Sequence, residues 1–392
     1  MTATQVSTGL TQVLAGARQD LSGAKLGLIA HPSSVTPDLT AAADALAASG
    51  FNIVAMFGPQ HGVRGEKQDN MIESASYVDT RLGIPVYSLY GDVRTPTAAM
   101  LDGVDVLLCD LQDVGVRVYT FIWTMTLAME ACRDAGVKFV VLDRPNPING
   151  STREGPVLRS GFESFVGLHP LPLRHGLTTG EIARMANDQF GIGCELDVVS
   201  CKGWPRTHWY DQTHLPFVMP SPNLPTLDSC VVYPGMVLLE GTNLSEGRGT
   251  TRPFELFGAP YLDAHELAVE LNRLTLPGVL FRPCQFEPTF QKHAGRLCGG
   301  AQLHIVDRSA FRPVETAVSI LSLVRRTAPD DFTWRQPPYE YEEKKVPIDI
   351  LWGSDELRIG IDSGASPDGI MQPTDSGIVE FNQLAGPYLL YH

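Results

Sequence analysis

The stretch that decides the fold is VDVLLCDLQDVGVRVYTFIWTMTLAMEACRDAGVKFVVL, residues 104–142. Its first apolar run, residues 104–109, predicts a buried strand, and residues 121–135 predict a helix. Gly136 is a typical stop signal at the end of a helix. A second apolar run follows at residues 137–142. Apolar strands separated by a helix are typical of a parallel sheet that is covered on both faces.

The same alternation extends towards the N-terminus. Apolar runs at residues 25–30, 51–57 and 86–89 predict three more strands, and the alanine-rich residues 36–49 predict a helix. The fold class that follows is α/β, with a Rossmann-like, mostly parallel, doubly wound sheet.

The second half of the chain has a different pattern. Four prolines between residues 216 and 225 indicate a rigid connector, and residues 335–345 are typical of a solvated loop. Apolar stretches follow at residues 231–239, 279–286, 301–306 and 357–361. Residues 263–274 predict one helix. We therefore expect a Rossmann-like domain over residues 1–220 and a smaller α+β domain over residues 221–392.

Composition excludes several classes of protein. The 392 residues carry a net charge of -14, which disfavours non-specific binding to nucleic acid, because that needs clustered Lys and Arg. No apolar run approaches the roughly 20 residues that span a bilayer, and no signal peptide is recognisable. Seven cysteines without C-x-x-C or zinc spacing indicate a reducing compartment. We expect a cytoplasmic protein with no metal, cofactor or membrane partner; the oligomeric state stays open.

Polar clusters follow each predicted strand. In open parallel sheets the carboxyl ends of the strands form the edge at which ligands bind. Five clusters fall there, at residues 31–34, 58–62, 90–91, 110–113 and 143–146. Familiar motifs of serine hydrolases, zinc proteases and nicotinamide enzymes do not occur, which disfavours those classes.

The longest cluster is residues 57–73, FGPQHGVRGEKQDNMIE. Loops of this length inside compact domains are uncommon without a function, although a surface loop with turn glycines is the simpler interpretation. The candidates that it supplies are Gln60, His61, Arg64, Glu66, Asp69 and Asn70.

Three further segments supply candidates. Residues 110–120 carry Asp110, Asp113, Arg117 and Tyr119, residues 142–156 carry Arg144, Asn146 and Glu154, and residues 241–254 carry Glu246 and Arg248. Helix capping and structural ion pairs are the simpler interpretation of these charges. Thr178 and Glu181 have the spacing of a capping box, which is a structural feature.

Long blocks of the chain resemble the NamZ-like exo-β-N-acetylmuramidases. The blocks are FGPQHGVRGE, DLQDVGVRVYT, VLDRPNPING with EGPVL, SFVGLHPLPLRHGLTTGE, MPSPNLPTL, LLEGTNLSEGRGTTRPFE and CGGAQLHIVD, in that order. The resemblance implies a glycoside hydrolase that removes N-acetylmuramic acid from the non-reducing ends of peptidoglycan fragments. It also implies a site in the cleft between a Rossmann-like domain and an auxiliary domain.

Gln60 departs from the family pattern. Members associated with muramidase activity are expected to carry Glu there, in a G-P-E-H-G motif, and an amide cannot transfer a proton as a carboxyl group does. Either a neighbouring carboxylate takes this role, or the activity has shifted or been lost. The candidates for replacement are Glu66, Asp69, Glu73, Asp113 and Glu154.

The resulting hypothesis assigns two kinds of role. Glu154 or Asp113 acts as the acid or orients the substrate with help from His61, and Gln60 and Glu66 complete the catalytic group. The remaining candidates bind a small carbohydrate, and an arginine among Arg64, Arg117, Arg144 and Arg248 pairs with the lactyl carboxylate. Two alternatives stay open: a hydrolase of another amino sugar or glycoside, and a sugar-binding protein without activity.

Overall fold

A computed structural model describes residues 5–65, 67 and 72–392. Its strands are β1 (Lys25–Ala30), β2 (Asn52–Gly58), β3 (Tyr77–Asp79), β4 (Ile84–Ser88), β5 (Val106–Asp110), β6 (Lys138–Leu142), β7 (Glu154–Val157), β8 (Pro172–Arg174), β9 (Leu196–Val199), β10 (Leu256–Ala259), β11 (Val279–Phe286) and β12 (Cys298–Ile305). Its α-helices are α1 (Gly9–Gln12), α2 (Ala42–Ala48), α3 (Ala98–Leu101), α4 (Phe121–Ala135), α5 (Thr179–Asp188), α6 (Leu227–Met236), α7 (Ala264–Arg273), α8 (Pro313–Thr327), α9 (Pro347–Trp352), α10 (Glu356–Asp362) and α11 (Pro367–Ala385).

The main sheet has seven strands in the order β3-β4-β2-β1-β5-β6-β9. All neighbours are parallel except β3, which runs antiparallel to β4 at one edge. Because β1, β2 and β5 are parallel, the loops that follow them lie at the same edge of the sheet. The strand order reverses between β1 and β5, which is the place where such sheets bind ligands. This sheet confirms the predicted Rossmann-like α/β class.

Local signals in the first half mark the helix ends correctly. Gly136 ends α4 in the left-handed conformation, with φ of 68°. Thr178 and Glu181 form the expected capping box at the start of α5. One bound is wrong: the helix predicted at residues 36–49 begins only at Ala42, because Thr36 and the residues after it form a turn held by Thr40.

The second half is more helical than the sequence indicates. Two of the four apolar stretches form β11 and β12, which pair with β10 in a three-stranded antiparallel sheet. The other two are helical: residues 231–239 belong to α6 and a following 3-10 turn, and residues 357–361 belong to α10. The predicted helix at residues 263–274 corresponds to α7.

The two halves share one apolar core. Buried side chains of α4 and β5 belong to the same cluster as buried side chains of α6, α8 and α9. The loop predicted as solvated is also partly inside: Tyr339 is 3% exposed and Glu340 is 4% exposed. Through Glu340, that segment contacts Gln60 and Tyr90 in the carboxyl-end loops of the main sheet.

The described part of the chain contains neither a membrane-spanning helix nor a metal-binding cluster. None of its helices combines the length and the apolar character that a bilayer crossing requires. Within the same residues, His, Cys, Asp and Glu form no group of three or more that is placed to hold a metal ion.

Candidate active site

A pocket lies at the carboxyl-end edge of the main sheet, between the two halves. The loop after β2 and the start of α4 form one wall, and α6, the turn after it and the segment around Glu340 form the other. The lining residues are Gln60, His61, Val118, Tyr119, Thr120, Val166, Ser221, Asn223, Leu224, Tyr233, Glu240, Arg248, Phe254, Tyr339 and Glu340.

Glu340 is the carboxyl group of this pocket that is best suited to carry a proton. Its Oε2 accepts a hydrogen bond from the Tyr90 hydroxyl at 2.8 Å, and its Oε1 accepts one from Gln60 at 3.4 Å. Burial raises the pKa of Glu340 to about 7, and the nearby charge of Glu240 acts in the same direction. Such a group is half protonated near neutral pH, as general acid–base catalysis requires.

Glu240 has a different environment in the same pocket. Its Oε1 pairs with the Arg248 guanidinium at 2.5 Å, and its Oε2 accepts a hydrogen bond from the Tyr339 hydroxyl at 2.7 Å. Both oxygens of Glu240 are therefore bonded to side chains of the pocket. The pocket therefore holds a paired carboxylate beside a carboxyl group that takes up a proton easily, a division of roles seen in acid–base enzymes.

Glu246 and Lys292 support this arrangement from behind. The Lys292 ammonium contacts Glu246 at 2.9 Å and donates to the carbonyls of Leu239 and Leu244. Although burial opposes it, the charges of Lys292 and Arg248 lower the pKa of Glu246. Glu246 thus holds Arg248 at the pocket rather than contacting a ligand there.

His61 lies in the pocket wall with a positive φ of 71°. Its Nδ1 is 2.7 Å from the Lys67 carbonyl oxygen, and its Nε2 is 3.2 Å from the Ser221 hydroxyl. Because a carbonyl only accepts, Nδ1 is the donor, and in the neutral ring Nε2 then accepts from Ser221. The ring is held by both nitrogens.

Tyr119 and Arg248 are the predicted binding residues that line the pocket. Tyr119 packs edge-on against Tyr233, which in turn packs against Phe254, so three aromatic rings form an apolar wall. Gln60 and His61 are the predicted catalytic residues that line it. Glu66, Asp69 and Asn70 lie outside the described residues.

Glu154 does not reach the pocket. Its Oε1 accepts from the backbone N–H groups of Val314 and Glu315, which begin helix α8. Burial raises the pKa of Glu154 to about 7, as it does for Glu340. The two carboxyl groups differ in position, because Glu340 lines the pocket and Glu154 contacts the start of helix α8. Glu154 is a helix cap in this structure, which corrects its assignment as the acid.

Asp113 lies behind the pocket wall rather than in it. Its Oδ2 accepts from the Gly115 backbone at 2.6 Å and is 3.2 Å from His175 Nε2. The carboxylate is near enough to raise the pKa of Tyr119 and of Tyr233, after burial as the main cause. It does not line the pocket.

The other predicted arginines are occupied elsewhere. Arg117 is fully buried and donates to the carbonyls of four residues: Pro156, Leu171, Leu351 and Trp352. Arg144 and Asp110 form a buried, two-pronged ion pair with each other. Arg64 is exposed and stacks on the ring of Tyr77. None of these side chains lines the pocket.

Asn146 is also structural. Its amide donates to the Leu177 carbonyl, and its Oδ1 accepts from the Ile148 backbone, which closes a turn after β6. Four residues of the pocket or its wall were not among the sequence-based candidates, namely Glu340, Glu240, Tyr233 and Tyr339, and Tyr90 was placed only in a strand-end cluster. One signal was present: in PPYEYEE, residues 337–343, tyrosines alternate with glutamates, which is unusual for a solvated loop.

A doubly wound sheet whose strand-end loops and a second unit enclose two differently held carboxyl groups defines an α/β enzyme. The chain belongs to the NamZ family. The model described as Exo-beta-N-acetylmuramidase NamZ, N-terminal, matches residues 26–228, and its C-terminal counterpart matches residues 231–391.

Similar proteins cover the whole chain. The Peptidoglycan beta-N-acetylmuramidase NamZ of Bacillus subtilis (strain 168) is 45% identical over 388 residues, which are 99% of this chain and 92% of that protein. Two solved DUF1343 family proteins of Bacteroides fragilis NCTC 9343 are similar in fold over 99% of both chains. Their TM-scores are 0.89 and 0.78, at 35% and 28% identity.

Proposed function

We propose that this protein is an exo-acting β-N-acetylmuramidase, which releases N-acetylmuramic acid from the non-reducing ends of peptidoglycan fragments. Membership of the NamZ family and the 45% identity to the Bacillus subtilis enzyme over 99% of the chain support this activity. The substrate is a small carbohydrate.

The observation that carries the mechanism is the environment of Glu340. Glycoside cleavage needs a proton donor for the leaving oxygen and a second group at the anomeric carbon. Glu340 is buried in the pocket and has a pKa of about 7, so it can hold a proton at neutral pH. We assign Glu340 as the general acid.

In the proposed step, one proton moves from Glu340 to the substrate and one returns from water. The bond between the anomeric carbon and the leaving oxygen breaks, and the proton of Glu340 passes to that oxygen. Positive charge develops at the anomeric carbon, where the Glu240 carboxylate or the acetamido carbonyl of the sugar stabilises it. Water then adds to the same carbon and returns a proton to Glu340.

This assignment accounts for Gln60. The amide cannot act as an acid, but it contacts the carboxyl group of Glu340, which comes from the other half of the chain. We propose that Glu340 supplies the proton that residue 60 cannot supply. Catalysis then needs no carboxyl group at position 60.

We further propose a cytoplasmic location. Seven cysteines without a disulfide support a reducing, cytoplasmic location.

The family models meet between residues 228 and 231, which supports a division of the chain near the proposed residue 220.

The test compares two buried glutamates that differ in position. Glu340→Gln and Glu154→Gln each replace a carboxyl group whose pKa is about 7, but only Glu340 lines the pocket. On a chromogenic N-acetylmuramide we expect Glu340→Gln to lower kcat by about 10²–10⁴-fold. Glu154→Gln should keep the wild-type rate, because its amide oxygen can still accept from helix α8.

Two results would contradict the proposal. Wild-type turnover in Glu340→Gln, with unchanged thermal unfolding, would remove Glu340 from the chemistry. Cleavage of an N-acetylglucosaminide in place of the N-acetylmuramide would favour a hydrolase of another amino sugar.

A further inference from the structure

The side-chain amide of Gln60 has a fixed direction in the pocket. The Thr120 hydroxyl donates to Gln60 Oε1 at 2.8 Å. Thr120 is 2% exposed and is the residue from which helix α4 starts, so its position is set by the helix. With the oxygen of the amide turned to Thr120, the NH2 group points the other way.

On that other side the NH2 group meets two oxygens. Gln60 Nε2 donates to the Tyr90 hydroxyl oxygen at 3.1 Å and to Glu340 Oε1 at 3.4 Å. The hydrogen of Tyr90 is directed at Glu340 Oε2, 2.8 Å away. Tyr90 is fully buried, so it is held in this geometry. Donation thus runs from Thr120 to Gln60, and from Gln60 and Tyr90 to Glu340.

We propose that Gln60 is a positioning residue for Glu340: the Thr120 hydroxyl orients its amide so that the NH2 group holds the Glu340 carboxyl in place. This inference rests on the proposed function, in which Glu340 is the acid. It assigns a reason for an amide at position 60. A carboxylate there would direct an oxygen at the oxygens of Tyr90 and Glu340, so that one of the two carboxyl groups would have to keep a proton between them.

The sign of the effect follows from the contacts. A donor to a carboxylate stabilises its ionised form, so the hydrogen bond from Gln60 lowers the pKa of Glu340, against burial, which raises it. Loss of this donor should raise the pKa further. A second carboxylate should raise it most, because two like charges at this distance share a proton.

Other groups also act on Glu340 and stay constant in the test. Those that face it are Tyr90, Tyr233, Glu240, Arg248, Tyr339 and Tyr341. The variants below change none of these side chains. The expected shifts therefore report on the Thr120–Gln60 contact with Glu340 alone.

The experiment uses the full chain and four variants: Gln60→Met, Gln60→Glu, Thr120→Val and, as a control, Thr124→Val. Thr124 is buried one turn further along α4, and its hydroxyl has no hydrogen-bond partner among the described residues. The first measurement is a ¹³C NMR titration of glutamate carboxyl groups without substrate, in which the Glu340 signal is the one that Glu340→Gln removes.

We expect the pKa of Glu340 to rise by a few tenths of a unit in Thr120→Val, by up to about 1 unit in Gln60→Met and by more than 1 unit in Gln60→Glu. Thr124→Val should leave it unchanged. In the second measurement, the basic limb of the pH profile of kcat/KM on a chromogenic N-acetylmuramide should move upward in the same order.

An unchanged titration of Glu340 in both Gln60 variants would overturn the inference, and so would an equal shift in Thr124→Val. The titration needs no turnover. Therefore a wild-type protein that cleaves no N-acetylmuramide would refute the proposed function, whereas a shift in the predicted order would still support the positioning role of Gln60.

Discussion

Glu340, as the proposed general acid, is expected to set the pH dependence of the reaction above neutral pH. Its pKa of about 7 is raised by burial, and only the protonated form can donate to the leaving oxygen. We expect kcat/KM to fall about tenfold per pH unit above pH 7, and this limb should be absent from the residual activity of Glu340→Gln. A pH–rate profile between pH 5 and 9 measures it. A basic limb near pH 4.5, the usual range of a glutamate, would contradict the assignment.

Arg117 shows how a buried guanidinium acts through structure alone. It donates to four backbone carbonyls, two of which belong to residues 351 and 352 in the other half of the chain. Arg117→Met removes one buried donor from each of these carbonyls, so we expect the free energy of unfolding to fall by roughly 3–5 kcal/mol. Urea titration measures it. Arg159→Met is the control, since Arg159 pairs with Glu356 at the surface and should unfold like the wild type.

Residue identity alone could not separate these roles. The sequence predicted that Arg117, Arg144 and Arg248 lie near a strand-end pocket, but only Arg248 lines it. In the sequence, an arginine whose guanidinium is already bonded to carbonyls or to a carboxylate cannot be distinguished from one that faces a ligand. The partners that decide between them are distant in sequence: Arg144 pairs with a residue 34 positions away, and Arg117 with one 235 positions away.

At the scale of elements, Glu154 ties strand β7 to the start of helix α8. Its pKa is raised by burial from 4.5 to about 7, so folding favours its protonated form. The sign follows from linkage: this contribution to stability is full below pH 4.5 and is lost as pH rises through 7. Between these limits we expect wild-type stability relative to Glu154→Gln to decline by about 1–3 kcal/mol. Urea unfolding at pH 4.5, 6 and 7.5 measures the difference, and a pH-independent difference would contradict it.

Most strands of the main sheet followed from pattern, whereas two apolar stretches of the second half did not. Apolar runs bounded by turns predicted the parallel strands other than β9 to within about two residues, because these strands are buried on both faces. Residues 231–239 are apolar for the same reason but belong to a helix buried on all sides. A helix without a polar face lacks the periodicity that distinguishes it from a buried strand.

The pocket exists only at the scale of the whole molecule. Gln60 and Glu340, which contact each other, are 280 residues apart in the chain. The sequence predicted a cleft between two units, with the strand-end loops on one side and the segment of Glu246 and Arg248 on the other, and Arg248 does line the pocket. The inward turn of Tyr339 and Glu340 was missed, because the alternation of tyrosines with glutamates in residues 339–342 is a weak local sign beside the prolines and charges of the same segment.

The last residues of the chain return to the first half and stabilise it. The Tyr391 hydroxyl donates to Asp143 at the end of β6 and accepts from the Cys201 backbone at 2.9 Å. Asp143 also accepts from Thr178 and from the Gly180 backbone, at the start of α5. One carboxylate therefore joins a central strand, a helix and the end of the chain.

Removal of this single hydroxyl should loosen that junction. In Tyr391→Phe, Asp143 and the Cys201 N–H each lose a partner, so we expect a loss of about 1–3 kcal/mol in the free energy of unfolding at pH 7.5. Burial raises the pKa of Asp143 to about 6, and the bond from Tyr391 opposes that rise. The variant should raise this pKa further, so its deficit should shrink below pH 6, where Asp143 is protonated in both proteins. Tyr388→Phe is the control, because its hydroxyl contacts Asp188 at the surface. Chemical unfolding at pH 5 and 7.5 decides the matter: an equal deficit at both pH values would mean that the ionised form of Asp143 does not depend on Tyr391.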